Sequence, residues 1–169
     1  MGAETAVAST SRVTLRPFRE EDALALHRIF ADPRAMRFWS TSPHERFEQT
    51  EAYVRSTMAA QAVGEGDDQI VLHDGRVIGK AGLWDNEEIG FILSPEFWGK
   101  GLAREAVAAV IERARSRGVP RVLADVDPRN EASLRLLRRA GFIETGRADA
   151  TFQVGEAWVD SVYLELSLG

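Results

Sequence analysis

The middle of the chain contains three strand-like runs joined by short turns, then one long helix-like run and a fourth strand-like run. Asp74-Gly75 separates the first two runs and is the strongest short signal for a two-residue hairpin loop. A strand that follows another strand through one helix is normally parallel to it, through a right-handed crossover. We therefore predict an antiparallel meander followed by one parallel crossover. The runs span residues 69–73, 76–84, 87–93 and 121–126, with the helix at 101–117.

The flanking segments add three helices and three strands, in the order βαα, βββ, α, β, α, ββ along the whole chain. This order predicts an α+β fold with a central mixed, mostly antiparallel sheet of about seven strands and four helices. The length of 169 residues suits one domain, which we place at 12–169 after a disordered N-terminus at 1–11. The flanking strands are expected at 12–16, 142–154 and 157–166, and the helices at 20–31, 42–63 (with Ser42 as N-cap) and 130–140.

The composition excludes several classes of function. A net charge of −5 argues against a broad nucleic-acid interface. The absence of cysteine excludes disulfides, thiolate metal sites and a cysteine nucleophile. His27, His44 and His73 are scattered, which argues against a metal site. No apolar run is long enough for a membrane helix, and the first residues do not resemble a signal peptide, so we expect a cytoplasmic protein.

The segment PEFWGKGLA at 95–103 links a predicted strand to the long helix and contains two glycines within three residues. The first N–H groups of a helix have no internal partner, and the helix dipole adds partial positive charge there. Glycines let this backbone approach an anion closely, so the segment predicts a phosphate or pyrophosphate site with Lys100 and Arg104 adding charge. A turn that only changes the chain direction remains the alternative at this point.

Two other nucleotide-binding motifs fit the segment poorly. A Walker P-loop requires Lys-Ser or Lys-Thr after its last glycine, and Gly101 is followed by leucine. A Rossmann fingerprint requires a third glycine where Arg104 stands, although Asp125 ends the following strand where a ribose-binding acid belongs. Antiparallel hairpins on both sides of the helix argue against that dehydrogenase-like fold.

The chain resembles the GNAT family (GCN5-related N-acetyltransferases) and, within it, the RimJ/RimL-like branch of ribosomal-protein acetyltransferases. Gly101 and Ala103 match the family motif [QR]-x-x-G-x-[GA], whereas Trp98 replaces the first motif residue, as is frequent in this branch. The resemblance covers about residues 12–167 and implies the acyl-CoA N-acyltransferase fold. The segments that carry it are EIGFILSPEFWGKGLAREA at 88–106, DPRNEASLRLLRRAGF at 127–142, MRFW at 36–39 and W-x-D from Trp158.

The resemblance implies an acetyl-CoA-dependent N-acetyltransferase without a metal. In such an enzyme a primary amine, on a protein N-terminus or a small molecule, attacks the thioester directly in a ternary complex. The alternative is a non-catalytic acyl-CoA-binding sensor or interaction module on the same fold. A monomer or a homodimer is compatible with the sequence.

The resemblance also implies which residues bind coenzyme A. The amides of Ile92 and Leu93 would contact the acetyl oxygen and the pantetheine arm, although ordinary ladder bonding explains them equally. Asn130 would contact the pantetheine arm, but a helix N-cap accounts for it as well. Arg138 would meet the 3′-phosphate, although it belongs to a basic run that a solvated helix face also explains. The implied set is Ile92, Leu93, Trp98, Gly99, Lys100, Gly101, Leu102, Ala103, Arg104, Asn130 and Arg138.

The chemistry of amines calls for a base, and the resemblance implies which residues have the catalytic and acceptor-binding roles. A lysine-like amine, with a pKa near 10.4, is almost fully protonated at pH 7, so a general base is useful. Glu88 is the candidate base, and strand alternation places Glu87 on the opposite face. Ser133 could protonate the departing thiolate, although a helix serine often bonds only to backbone. The implied acceptor-binding residues are Trp39, Phe38 and Asp160, each of which also has a purely structural explanation.

Overall fold

A computed structural model describes residues 12–169, and the predicted disordered segment 1–11 lies outside the described residues. The strands are β1 (Val13–Arg16), β2 (Asp67–His73), β3 (Arg76–Leu83), β4 (Ile89–Leu93), β5 (Arg121–Val126), β6 (Ile143–Val154) and β7 (Ala157–Ser167). The α-helices are α1 (Ala23–Phe30), α2 (Pro33–Met36), α3 (Phe47–Ala62), α4 (Leu102–Ser116) and α5 (Glu131–Arg139). No helix among the described residues is long and apolar enough to cross a membrane.

The seven strands form two antiparallel sheets, in the orders β1-β2-β3-β4 and β5-β7-β6. Within residues 12–169 the sheets are joined by one parallel bridge, between Glu88 and Leu123. At this point the Leu123 N–H donates to the carbonyl of Glu87 at 2.9 Å. The predicted α+β fold with one parallel crossover is confirmed, but the crossover strands diverge directly after the bridge. Each of them is paired on its other edge, β4 with β3 and β5 with β7.

Helix α4 buries its apolar stripe against one face of the first sheet. Ala106, Val107, Val110 and Ala114 are buried there, at the spacing that the sequence predicts, whereas Ala103 is partly exposed. The other face of the same sheet carries a second core, which α1 and α3 form with strand side chains such as Ile92. Side chains on this second face therefore point toward the N-terminal helices.

The start of α3 differs from the prediction at Ser42. The helix begins at Phe47, because the Gln49 side chain accepts 2.9 Å hydrogen bonds from the backbone N–H groups of Glu45 and Arg46. The preceding loop, residues 37–46, is attached to α1 by the His44 N–H, which donates to the Phe30 carbonyl at 2.8 Å. The loop thereby remains available to line a cavity.

The single-turn helix α2 is additional to the four predicted helices. Asp32-Pro33 does end α1, as predicted, but it also starts this new turn. The Asp32 side chain caps the turn by accepting a 2.9 Å hydrogen bond from the Arg34 N–H, and Pro33 suits the first helical position.

Candidate functional site

The diverging ends of β4 and β5 open a cavity of about 1670 Å³. Both strands contribute to its walls, as do the first turns of α4 and α5 and the loop 37–46. The cavity therefore lies at the parallel crossover, between the two sheets. It is large enough for an extended ligand, since small-molecule sites usually measure about 300–1,000 Å³.

The backbone of β4 presents alternate residues to the gap. Ser94 N–H donates to the Ile78 carbonyl at 2.8 Å, and the β3–β4 register continues without a shift. Even-numbered residues of β4 therefore bond toward β3, and odd-numbered residues turn their N–H and C=O groups toward the gap. Of the two predicted amides, that of Leu93 faces the gap and that of Ile92 faces β3. Phe91, which the sequence analysis did not select, faces the gap as well.

Two left-handed glycines shape the loop before α4. Gly99 has φ of 71° and Gly101 has φ of 76°, a conformation that residues with a side chain rarely adopt. Gly101 is the N-cap of α4, and no side chain caps the helix there. The first N–H groups of α4 are therefore open to an anion in the cavity. The cavity wall here includes Gly99, Gly101, Leu102, Ala103 and Arg104.

Trp98 joins this loop to the end of β4. Its indole Nε1–H donates to the Leu93 carbonyl at 3.0 Å, although half of the residue is exposed. Lys100, by contrast, is not part of the cavity wall, and its ammonium lies 5.3 Å from the Phe97 ring centroid. The predicted charge from Lys100 is thus directed away from the cavity in this structure.

The opposite wall begins with α5. Asn130 caps this helix, since its side-chain oxygen accepts a 3.2 Å hydrogen bond from the Ser133 N–H. The cap leaves the amide NH₂ group of Asn130, which lines the cavity together with Ser133. Arg138 does not line the cavity and pairs with Glu144 at 3.1 Å, whereas two arginines of the same helix segment do line it. These two are Arg135 and Arg139.

Glu88 is partly buried and lines the cavity beside the bridge. Burial raises the pKa of its carboxyl group, the nearby Asp125 and Asp85 carboxylates raise it further, and a hydrogen bond with the Trp84 side chain lowers it; the net shift is upward. Glu87 points to the other face, where it lies 3.9 Å from Arg121. The predicted alternation thus separates a cavity-facing glutamate from a surface one.

The wall opposite β4 is aromatic. Phe38 and Trp39 of the loop 37–46 line the cavity together with Trp84 and Phe152. Trp39 lies close to the strand at Gly90, where a methyl group would make an ordinary 3.6 Å contact with the indole Cη2 atom. An uncapped helix start, an open strand edge, a carboxylate and aromatic side chains therefore share one cavity.

A family model described as an acetyltransferase (GNAT) domain matches residues 12–143. The chain belongs to the GNAT acetyltransferase family. The match spans the cavity-forming segments up to α5 and leaves only the last hairpin outside it. The GNAT fold is thus shown both by the family model and by solved structures.

Three similar proteins illustrate the range of this family. The N-acetyltransferase p20 of Bacillus licheniformis, itself uncharacterized, is 32% identical over 146 residues, covering 81% of this GNAT chain and 82% of p20. RimL, a ribosomal L7/L12 α-N-protein acetyltransferase solved with coenzyme A, has a TM-score of 0.84 at 18% identity, covering 96% and 98% of the two chains. A spermidine N-acetyltransferase from Vibrio cholerae, solved with coenzyme A and spermine, has a TM-score of 0.80 at 19% identity, covering 94% and 97%.

One acceptor residue suggested by the sequence lies elsewhere in this GNAT protein. Asp160 is outside the cavity wall, and its carboxylate accepts a 2.8 Å hydrogen bond from the Ala150 N–H. Ala150 has a left-handed φ of 50°, so this bond supports a strained position in the β6–β7 hairpin. Asp160 thus has a structural role in the hairpin, outside the cavity wall.

Sequence reasoning missed a buried ion pair beside the aromatic wall. The Lys80 ammonium lies 3.1 Å from both carboxylate oxygens of Asp68, and both residues are buried. Burial alone would lower the pKa of Lys80, but the Asp68 carboxylate and Tyr53 raise it above its usual value. The ammonium lies 4.9 Å from the Trp39 ring centroid. Charged residues on a strand are normally expected to face solvent, so the sequence carried no signal for this pair.

A second polar network supports the loop 37–46 of this GNAT protein. The hydroxyl of the buried Thr50 lies 2.8 Å from Nδ1 of both His27 and His44. Burial lowers the pKa of His44, and the neighbouring His27 lowers it further. Because the hydroxyl has one proton and two acceptor lone pairs, it can donate to only one of the two imidazoles, and at least one of them must donate its Nδ1–H to Thr50. His44 lines the cavity, so this network connects the loop to α1 and α3.

Proposed function

We propose that this GNAT protein is an acetyl-CoA-dependent N-acetyltransferase that transfers the acetyl group to a primary amine. The observation that carries the proposal is the continuity of the cavity. One open space runs from the uncapped start of α4 at Gly101, along the free edge of β4, to the carboxyl group of Glu88. The anion site and the candidate base are thus placed on either side of an extended strand edge.

The donor substrate fits the end of the cavity near α4. The backbone N–H groups at the start of α4 would bind its pyrophosphate, and the helix dipole would favour the negative charge. The gap-facing amides of Phe91 and Leu93 and the side-chain amide of Asn130 are suited to the pantetheine arm. Arg135 and Arg139, rather than the predicted Arg138, supply positive charge at this end of the cavity.

In the proposed reaction the protons are transferred by residues of the chain and by solvent. Glu88, directly or through one water, removes a proton from the acceptor ammonium and leaves a neutral amine. The nitrogen lone pair forms the new C–N bond at the thioester carbon, while a backbone N–H of the β4 edge stabilises the charge on the carbonyl oxygen. The C–S bond breaks, the second amine proton is lost to solvent, and the Ser133 hydroxyl passes a proton to the thiolate while it takes one from solvent. The products are an N-acetyl amine and coenzyme A, with no covalent enzyme intermediate.

The acceptor class and the branch are finer parts of the proposal. The W-G-x-G-x-A sequence around Gly101 and the fold likeness to RimL support the RimJ/RimL-like branch. A protein N-terminus, as in RimL, and a small amine, as in the spermidine enzyme, are both represented among the similar structures. We therefore propose a primary amine as the acceptor. The experiment below tests whether this amine belongs to a protein N-terminus or to a small molecule.

The proposal is tested by calorimetry with coenzyme A, followed by a thiol-release assay with acetyl-CoA and a panel of amines and N-terminal peptides. The chain has no cysteine, so every thiol that reacts with the detection reagent comes from the donor. We expect coenzyme A binding and amine-dependent thiol release. No binding at millimolar coenzyme A would refute the proposal. Binding without release for any amine would instead identify an acyl-CoA sensor.

A further inference from the structure

Lysine is rare in this chain, and one of its two lysines is buried. The sequence has 21 basic residues, of which only Lys80 and Lys100 are lysines. Lys80 is 2% exposed and pairs with the equally buried Asp68 in the sheet face that packs against α1 and α3. Burial of two charged groups costs desolvation free energy. Apolar residues at the same positions often give the folded protein equal stability. Stability alone therefore does not explain the buried ion pair, and we look for its role at the neighbouring cavity.

The ion pair is oriented with its ammonium toward the cavity. Lys80 lines the cavity, whereas Asp68 lies behind it and does not. The ammonium lies 4.9 Å from the ring centroid of Trp39 and 5.7 Å from that of Tyr53, within the range of cation–π attraction. Lys80 is thus held by Asp68 on one side and by two aromatic rings on the other.

Lys80 and Trp39 both lie next to Gly90 of β4. A methyl group at position 90 would lie 3.6 Å from Trp39 Cη2 and 3.8 Å from Lys80 Nζ. The ammonium and the edge of the indole therefore both lie close to β4, two residues from Glu88. Trp39 lies outside regular secondary structure, and its ring is in contact with the second core and with the Lys80 ammonium.

We infer that Lys80 is a positioning residue that fixes Trp39 as the wall of the acceptor site and makes this wall disfavour a second ammonium group. The inference rests on the proposed function and specifies its substrate class. This class is an amine with no second charged group on the side that faces Trp39. One cation already occupies the π system of Trp39, and a second would meet like charge in a site of reduced dielectric. The other charged or titratable groups that contact Lys80 or line this end of the cavity are Asp68, Tyr53, Arg34, Arg37, His44, Glu45, Glu88, Asp125 and Asp127.

The experiment compares two amines of equal length, butylamine and 1,4-diaminobutane. In the parent protein we expect a higher kcat/KM for the monoamine. The double variant Lys80→Met/Asp68→Asn removes both buried charges together, so that no lone charge is left to unfold the protein. We expect the ratio of the two kcat/KM values to fall about tenfold, mainly through KM, because the cation is gone and Trp39 is free to stack on an ammonium.

A neighbouring ion pair provides the matched control. Asp67 precedes Asp68 on β2 and bonds to Arg113 of α4, on the opposite face of the sheet and outside the cavity wall. Arg113→Met/Asp67→Asn should leave the ratio at its parent value. An unchanged ratio in the Lys80 variant, an equal shift in the control, or a parent preference for the diamine would overturn the inference. Absence of thiol release with every amine would instead refute the proposed function.

A spectroscopic measurement that needs no turnover separates failure of the positioning role from failure of the proposed function. With 5-fluorotryptophan incorporated, the ¹⁹F resonance of Trp39 is assigned by its loss in Trp39→Phe. We expect this resonance to shift and broaden in Lys80→Met/Asp68→Asn and to stay in place in the Arg113/Asp67 control. A Trp39 resonance that is the same in all three proteins would overturn the positioning role even if no amine were acetylated.

Discussion

The indole N–H of Trp98 donates to the carbonyl oxygen of Leu93 at 3.0 Å, which ties the glycine loop to the last residue of β4. The family motif carries Gln or Arg where this chain has Trp98. The hydrogen bond shows what the tryptophan contributes here, since it ties the direction of the glycine loop to the end of the strand. The amide of the same Leu93 faces the gap, so the proposed contacts to the pyrophosphate and to the pantetheine arm depend on one short segment.

Trp98→Phe should weaken coenzyme A binding by about 3- to 10-fold, because the loop loses one hydrogen bond and its fixed geometry. Calorimetry on the two proteins measures this directly. Trp158→Phe, at an exposed position of β7, is the control and should bind like the parent. Equal affinity of Trp98→Phe and the parent would show that the bond does not position the loop.

Gly101→Ala should lower coenzyme A affinity by at least about tenfold. Its φ of 76° disfavours any side chain, and the new methyl group would lie 3.1 Å from an Arg12 nitrogen. Gly155→Ala imposes similar strain at φ of 61° in the distant hairpin turn, with open space around it. Both variants should lose about 1 kcal/mol of unfolding free energy in denaturant titrations, but only Gly101→Ala should lose affinity. A matching loss in Gly155→Ala would point to a general effect of instability.

Glu88→Gln should reduce kcat by on the order of 100-fold, because an amide cannot accept the amine proton. In the parent, the rate should rise with pH as the Glu88 carboxyl group ionises, and this rise should lie above the ordinary range for glutamate because its pKa is raised. The kcat–pH profile of Glu88→Gln should lack this limb. Glu87→Gln, on the opposite face, should retain it. Retention of the limb in Glu88→Gln would assign the base to another group.

His44 should make the free energy of unfolding depend on pH. Its pKa is lowered in the folded state, first by burial and then by His27. The folded protein therefore resists protonation, so the contribution is fully present above the unfolded pKa of about 6.5 and is lost as pH falls through the lower folded value. Denaturant titrations of the parent and His44→Asn should show a shallower decline in the variant below pH 6.5. Identical slopes would mean that His44 is not the group responsible.

The elements that could be predicted from sequence are those with local causes. Asp74-Gly75 specifies its hairpin by backbone preference, and Asn130 caps α5 through a hydrogen bond only three residues away. The start of α3 was misplaced because Ser42 and Pro43 look like a helix start, whereas the side chain of Gln49 provides the actual cap.

The parts that could not be predicted depend on contacts between distant segments. Lys80 and Asp68 meet because β2 and β3 pair in one particular register, and the ring of Trp39 reaches them from a third segment. Likewise, the basic run on α5 was recognisable, but only the fold shows that Arg135 and Arg139 line the cavity while Arg138 bonds to Glu144. Spacing identifies a helix face, and the identity of its neighbour comes from the tertiary structure.

In the described part of the chain, the bridge between Glu88 and Leu123 is the point at which backbone pairing joins the two sheets, so a change in their relative tilt would occur about this point. Among the described residues the two sheets have no further ladder of backbone bonds to hold them at a fixed tilt, so their opening angle depends on side-chain packing and on whatever fills the space between β4 and β5. A long ligand bound there would brace the two halves much as an added strand would. Amide hydrogen exchange along the facing edges of both strands should then slow together when the donor binds, and the rigidity gained would extend to the β6–β7 hairpin through β7.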